Sequence, residues 1–85
     1  MYQVILEEPV QRQIRKLDPF VQKRLFRALV KLEKNPRAAG TKKLRGINDL
    51  YRLRVGDFRV LYQIEDDKLF VLVVALGHRR DIYRF

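Results

Sequence analysis

Tyr51-Arg52-Leu53-Arg54-Val55, Gly56-Asp57, Phe58-Arg59-Val60-Leu61-Tyr62 is the stretch that decides the fold. Two alternating runs flank a two-residue connection that contains glycine, which is the signature of a β-hairpin. That turn pairs Val55 with Phe58, Arg54 with Arg59, Leu53 with Val60 and Arg52 with Leu61. Side chains alternate faces along a strand. Leu53, Val55, Phe58, Val60 and Tyr62 therefore share one face, and Arg52, Arg54 and Arg59 share the other. Like charges directly opposite destabilise a strand pair by a few tenths to about 1 kcal/mol. A chain that places arginines there has an anion to put between them.

Working outward, Tyr2 to Glu7 reads as a first strand. Pro9 suits the first turn of a helix, and Val10, Ile14 and Leu17 follow on one helical face. Asp18-Pro19 is a cap and a first-turn proline, so a second helix starts almost at once. Its apolar face is Val21, Leu25, Ala28, Leu29 and Leu32, and Asn35-Pro36 ends it. The two helices form a tight αα-hairpin. Pro36 to Asp49 reads as a connector that holds Gly40, Gly46 and the basic run Lys42-Lys43-Leu44-Arg45. Asp66-Asp67 marks a turn. Leu69 to Leu76 is apolar at every position and reads as a central strand covered on both sides. The first strand is expected beside it, which makes the strand around Tyr51 an edge.

The expected fold is α+β, in the order β-α-α-β-β-β. A mostly antiparallel four-stranded sheet carries the N-terminal helical hairpin on one face. The helices take the apolar side of the arginine hairpin, with Tyr51 and Tyr62 in the core. Arg52, Arg54, Arg59 and Gln63 are left on the open, concave side. Gly77 is expected to break the last strand. The tail would then bring His78, Arg79, Arg80 and Tyr83 beside the arginines.

Composition agrees with this reading. The 85 residues fit one domain, 1–85, which buries roughly 60–65% of its unfolded surface. Hydrophobic residues make up 47% of the chain, which fits a folded protein rather than a disordered tail. With no cysteine, disulfides and thiolate sites are excluded, which suits a cytoplasmic protein. No signal peptide or membrane-length apolar run is evident. The net charge of +9 favours a polyanion as partner, nucleic acid or the ribosome first. Arg12, Arg15, Lys16, Lys23, Arg24, Arg27, Lys31 and Lys34 decorate the outside of the helices, either as a solvated face or as phosphate contacts.

Guanidinium is planar, permanently charged and matched to phosphate oxygens. Several on one concave surface make a phosphate site, and they also stabilise the extra charge of a phosphorane-like transition state. A nearby tyrosine stacks on a base or moves a proton, and a histidine suits either proton role near neutrality. Each element has a structural alternative. The arginines could bind only solvent ions, His78 could cap a strand end, Tyr83 could pack the tail, and Lys42, Lys43 and Arg45 could form a mobile basic loop. Carboxylates with metal-ligand spacing are lacking, as is a phosphate-binding glycine loop, so no metal or cofactor is expected.

The run Lys43-Leu44-Arg45-Gly46, the hairpin Tyr51 to Tyr62 and Gly77-His78-Arg79-Arg80-Asp81-Ile82-Tyr83 together resemble the RelE/ParE superfamily of type II toxin–antitoxin toxins. The similarity lies closer to the RelE-like branch, which cleaves messenger RNA in the ribosomal A site. The resemblance implies catalytic roles for Arg52, Arg54, Arg59, Arg79 and Tyr83, with His78 as a second candidate base, and RNA contacts from Lys42, Lys43, Arg45 and Arg80. It implies metal-independent attack of the RNA 2′-hydroxyl on the adjacent phosphate. Several family members carry lysine where this chain has Arg52 and Arg54, and an arginine does not readily act as a base. An acidic, RelB-like antitoxin is the implied partner, beside ribosome and mRNA, with promoter DNA bound only through the toxin–antitoxin complex. Two alternatives share these features: a ParE-like inhibitor of DNA gyrase, and a non-catalytic RNA-binding module.

Overall fold

The computed structural model describes residues 1–46 and 49–80. The elements are β1 (Gln3–Leu6), α1 (Glu8–Arg15), α2 (Pro19–Lys34), β2 (Thr41–Lys43), β3 (Leu50–Val55), β4 (Phe58–Glu65) and β5 (Phe70–His78). The strands form one sheet in the order β1-β5-β4-β3-β2. Only β1 with β5 is parallel. The α+β class and the helical hairpin on one face stand as expected. The sheet has five strands rather than four, because Thr41–Lys43 leaves the connector to pair with Tyr51–Leu53. Consequently β3 is not an edge strand; β2 lies outside it.

The helices form where capping and periodicity direct. Asp18 accepts the backbone N–H of Phe20 at 2.8 Å and caps α2, with Pro19 as its first residue. Asn35 leaves helical backbone just before Pro36. Val10 and Ile14 from α1 and Leu25, Leu29 and Leu32 from α2 pack on Leu53, Val60, Tyr62, Val71, Val73 and Leu76 of the sheet. Burying side chains of this size is worth about 1.5–3 kcal/mol each, so this layer holds the helices to the sheet. The Gln13 amide adds a tie from α1 to the Leu76 carbonyl at 3.0 Å. Among the described residues no helix is long and apolar enough to cross a membrane.

A bulge explains the unbroken apolar run of β5. Leu61 pairs with Ala75, but Tyr62 pairs with Val73, so Val74 is the extra residue. Leu76, Val73 and Val71 all face the helices despite their unequal spacing. At the other end, β5 runs through Gly77 to His78, paired with Arg59 and Phe58. The expected break at Gly77 does not occur, because its backbone continues the ladder with β4.

The far end of the sheet is clasped by polar groups. Arg37, in the loop after α2, grips Asp66 with both terminal nitrogens at 3.0 and 2.9 Å. The Tyr2 hydroxyl donates to the same carboxylate at 2.6 Å. The Arg37 and Tyr2 hydrogen bonds hold the Asp66 carboxyl down to about 2. The bond to Asp66 in turn raises the Tyr2 phenol. Tyr51 stacks on Tyr62 at 5.7 Å between ring centres. Tyr62 is fully buried and donates to the Pro36 carbonyl at 2.6 Å. Burial pushes its phenol up to about 12.

Candidate functional site

The hairpin register is Val55 with Phe58, Arg54 with Arg59, Leu53 with Val60 and Arg52 with Leu61. Gly56 makes the turn possible with φ of +59°, a backbone region that side-chain-bearing residues rarely enter. Arg52, Arg54 and Arg59 thus share the sheet face opposite the helices. Lys42 lies directly across from Arg52 in β2, so its side chain joins that face. Strand β2 supplies a cation the connector reading had left in a loop. Lys43 pairs with Tyr51 and belongs to the helix side, where its ammonium lies 3.8 Å from Asp49. Arg45 sits exposed in the turn after β2.

The cations of the open face differ in what they do. Arg54 is exposed and Arg52 half-buried. Arg59 is only 7% exposed. Its Nη1 donates to the Gly56 and Phe58 carbonyls, each at 3.0 Å. The guanidinium folds back on its own turn and fixes the hairpin tip, where the sequence had suggested a freely presented group. Beside it Leu61 is fully buried and gives the cationic face an apolar floor.

Arg79 reaches the same hairpin tip. Its N–H donates to the Asp57 carbonyl at 2.7 Å, continuing the β4–β5 ladder by one residue. Its Nε stands 3.8 Å from the Asp57 carboxylate. His78 does not join the arginines. It pairs with Phe58, and paired residues share a face, so its imidazole lies on the helix side. There it meets the Phe58 ring edge-on at 6.0 Å. Its Nδ1 takes the N–H of Arg80 at 3.3 Å, and the Arg80 side chain is exposed. The expected approach of His78 to the arginines fails because Gly77, not His78, is the residue opposite Arg59. Tyr83 and the expected course of the tail beyond Arg80 lie outside the described residues.

Chemically, the described residues of the face offer fixed positive charge with shape selectivity for phosphate. Among the described residues no three His, Asp or Glu side chains cluster so as to hold a metal ion.

Residues 4–83 match the family model of the ParE toxin of type II toxin–antitoxin systems, parDE. An Escherichia coli protein named for its likeness to the RelE toxin is 40% identical over 86 residues, covering 96% of this chain and 90% of the relative. The mRNA interferase toxin RelE of Escherichia coli K12 is 35% identical over 80 residues, covering 92% of this chain and 83% of the relative. Among solved structures, the archaeal RelE–RelB complex from Pyrococcus horikoshii superposes with a TM-score of 0.83 at 27% identity, covering 94% of this chain and 97% of that one. Fold, register and family model agree, and the chain belongs to the RelE/ParE superfamily of type II toxin–antitoxin toxins.

Proposed function

We propose that this protein is a ribosome-dependent endoribonuclease toxin that cuts messenger RNA in the A site. The observation that carries the reading is the cationic open face: Lys42 opposite Arg52, with Arg54 in the same strand and Arg79 at the hairpin tip. The mRNA interferase name of the RelE relative supports the same chemistry. In the proposed reaction the RNA 2′-oxygen attacks the adjacent phosphorus and the bond to the 5′-oxygen breaks. The products are a cyclic phosphate and a 5′-hydroxyl. Arg52 and Arg54 hold the non-bridging oxygens as charge builds on them, and Arg59 keeps the hairpin tip in shape through its bonds to the Gly56 and Phe58 carbonyls. Arg79 stabilises the charge on the leaving 5′-oxygen, which takes a proton from water or a ribosomal group to become the 5′-hydroxyl. A base takes the 2′-hydroxyl proton, and Tyr83 or a ribosomal group is assigned that role. With guanidiniums supplying the charge, the reaction proceeds without metal.

The cognate partner is an acidic, RelB-like antitoxin. Phe26 and Val30 stand half-exposed one helical turn apart on α2. Phe26 also lines a cavity of about 230 Å³ together with Leu6, Gln11, Ile14 and Arg15. On a chain of net charge +9, this surface fits an acidic amphipathic segment. Promoter DNA would be bound through that complex, and the toxin would act in the cytoplasm. A second reading, a gyrase inhibitor, is kept by the ParE family match.

The test is primer-extension mapping of messages on programmed ribosomes, with and without the protein and in the presence of chelator. Cuts within A-site codons that survive chelation, on ribosomes kept intact, support the proposal. Intact messages with a DNA-damage response on induction in cells would favour gyrase. RNA binding without cleavage on any ribosomal substrate would favour the non-catalytic module.

A further inference from the structure

On the helix side of the sheet, a cavity of about 350 Å³ lies between α2 and the edge of β3. Arg24, Arg27 and Lys31 line its mouth from α2, Leu32, Leu53 and Val55 are among its apolar lining, and Gly40 before β2, Arg54 of β3 and Gly56 of the turn border it opposite the helix. No Asp or Glu is among its described lining residues, and no described ion pair involves the three helix cations. Like charges one turn apart, as Arg27 and Lys31 are, destabilise a helix by roughly 0.2–0.5 kcal/mol. A cavity of this size is in the range that accepts a small ligand, and its lining selects an anion.

Two further features connect the cavity to the open face. Arg24 reaches across to the hairpin, where a Cβ at Gly56 would stand 2.9 Å from its Nη1. The Gly56 carbonyl meanwhile accepts Arg59 from the other side. The turn thus carries a guanidinium on each face. The β2 ladder also stops at Thr41 opposite Leu53, so β2 does not cover the sheet edge from Arg54 to Gly56. A polyanionic strand lying across the arginine face can pass over that edge and stay among cations.

We propose that the cavity between α2 and the β3–β4 hairpin is a second anion pocket, which takes a backbone phosphate of the bound RNA strand away from the reacting phosphate. This rests on the reading of the chain as an RNA-cleaving toxin. The pocket reads backbone and not base, so it adds affinity and sets the path of the strand without adding sequence preference.

The probe is a 2′-O-methylated oligoribonucleotide, which keeps every phosphate but has no attacking hydroxyl. Its binding to the full chain is measured against salt for the parent, for R27A/K31A and for R12A/K16A, the last pair at the C-terminal end of α1 and outside the cavity. Both double variants lower the net charge of +9 by two, and their thermal midpoints check that they fold. Counterion release from one single-stranded phosphate contact changes the slope of log K against log salt by about 0.7, which at 0.15 M salt is about fourfold in affinity. R27A/K31A is expected to lose about that much, irrespective of base sequence, and R12A/K16A distinctly less. An unchanged slope in R27A/K31A, or equal losses in both variants, overturns the pocket while leaving cleavage on ribosomes intact. A parent that neither binds the oligonucleotide nor cuts messages brings down the nuclease reading, and the pocket with it. A parent that cuts messages yet does not bind the oligonucleotide overturns the pocket alone.

Discussion

Replacing Arg54 with glutamine should make the protein more stable and less active at once. Arg54 is exposed and stands directly opposite Arg59 in the hairpin. Removing one member of a like-charged cross-strand pair recovers a few tenths to about 1 kcal/mol. In a domain of this size 1 kcal/mol moves the midpoint by about 4–8 °C, so R54Q should melt about 1–8 °C higher at low salt. Raising salt should shrink the gain, because screening lengths fall to a few ångströms. Arg59→Gln should do the opposite. It removes charge-assisted bonds to two carbonyls from a site 7% exposed, a loss of about 1.5–3 kcal/mol. Its melting point should fall by about 6–24 °C. Cleavage on programmed ribosomes should drop roughly a hundredfold in R54Q if the side chain holds the reacting phosphate. Arg45→Gln, in an exposed turn, controls for the general loss of one positive charge. A lower melting point for R54Q than for the parent at low salt would refute the reasoning. So would a gain no larger than that of R45Q, or an R59Q protein as stable as the parent.

The Asp66 clasp should give acid-dependent stability. The carboxyl is lowered from 3.8 to about 2, so its contribution is complete above about pH 4 and is lost as pH falls through about 2. The melting-point gap between the parent and D66N, followed from neutral pH downward, should close over that window; a constant gap would rule this out. Tyr62→Phe should cost about 1–3 kcal/mol in denaturant unfolding, because the Pro36 carbonyl loses its donor in a fully buried site. Gly56→Ala should cost about 1–2 kcal/mol through its positive φ. Because that strain is in the backbone, the loss should persist in an Arg24→Ala background; full recovery there would show that crowding against Arg24 is the cause.

The hairpin register was legible because a two-residue turn and strict alternation leave one pairing that buries the apolar face. The helices were legible for similar reasons, through Asp18-Pro19, Asn35-Pro36 and the spacing of Leu25, Leu29 and Leu32. Strand β2 was not legible. Three residues carry no period, and Thr41–Lys43 is ordered by the neighbour it finds in β3. The placement of His78 depends on the parity of β5 against β4, and the bulge at Val74 hides that parity from any count along the chain. The fold-back of Arg59 is a rotamer choice, set by two carbonyls that only the formed turn brings within reach. Lys42 was singled out as basic. That it stands beside Arg52 follows from the unforeseen strand.

The pairing of β1 with β5 has a consequence for synthesis. Residues 3–6 leave the ribosome early, yet among the described residues their sheet partner is residues 70–73. Contacts so distant along the chain form late. During translation the N-terminal strand and its helices wait without a completed sheet behind them. A nascent chain therefore lacks its finished sheet, and the arginine face that the sheet carries, until synthesis has passed β5, a delay that arises from topology alone.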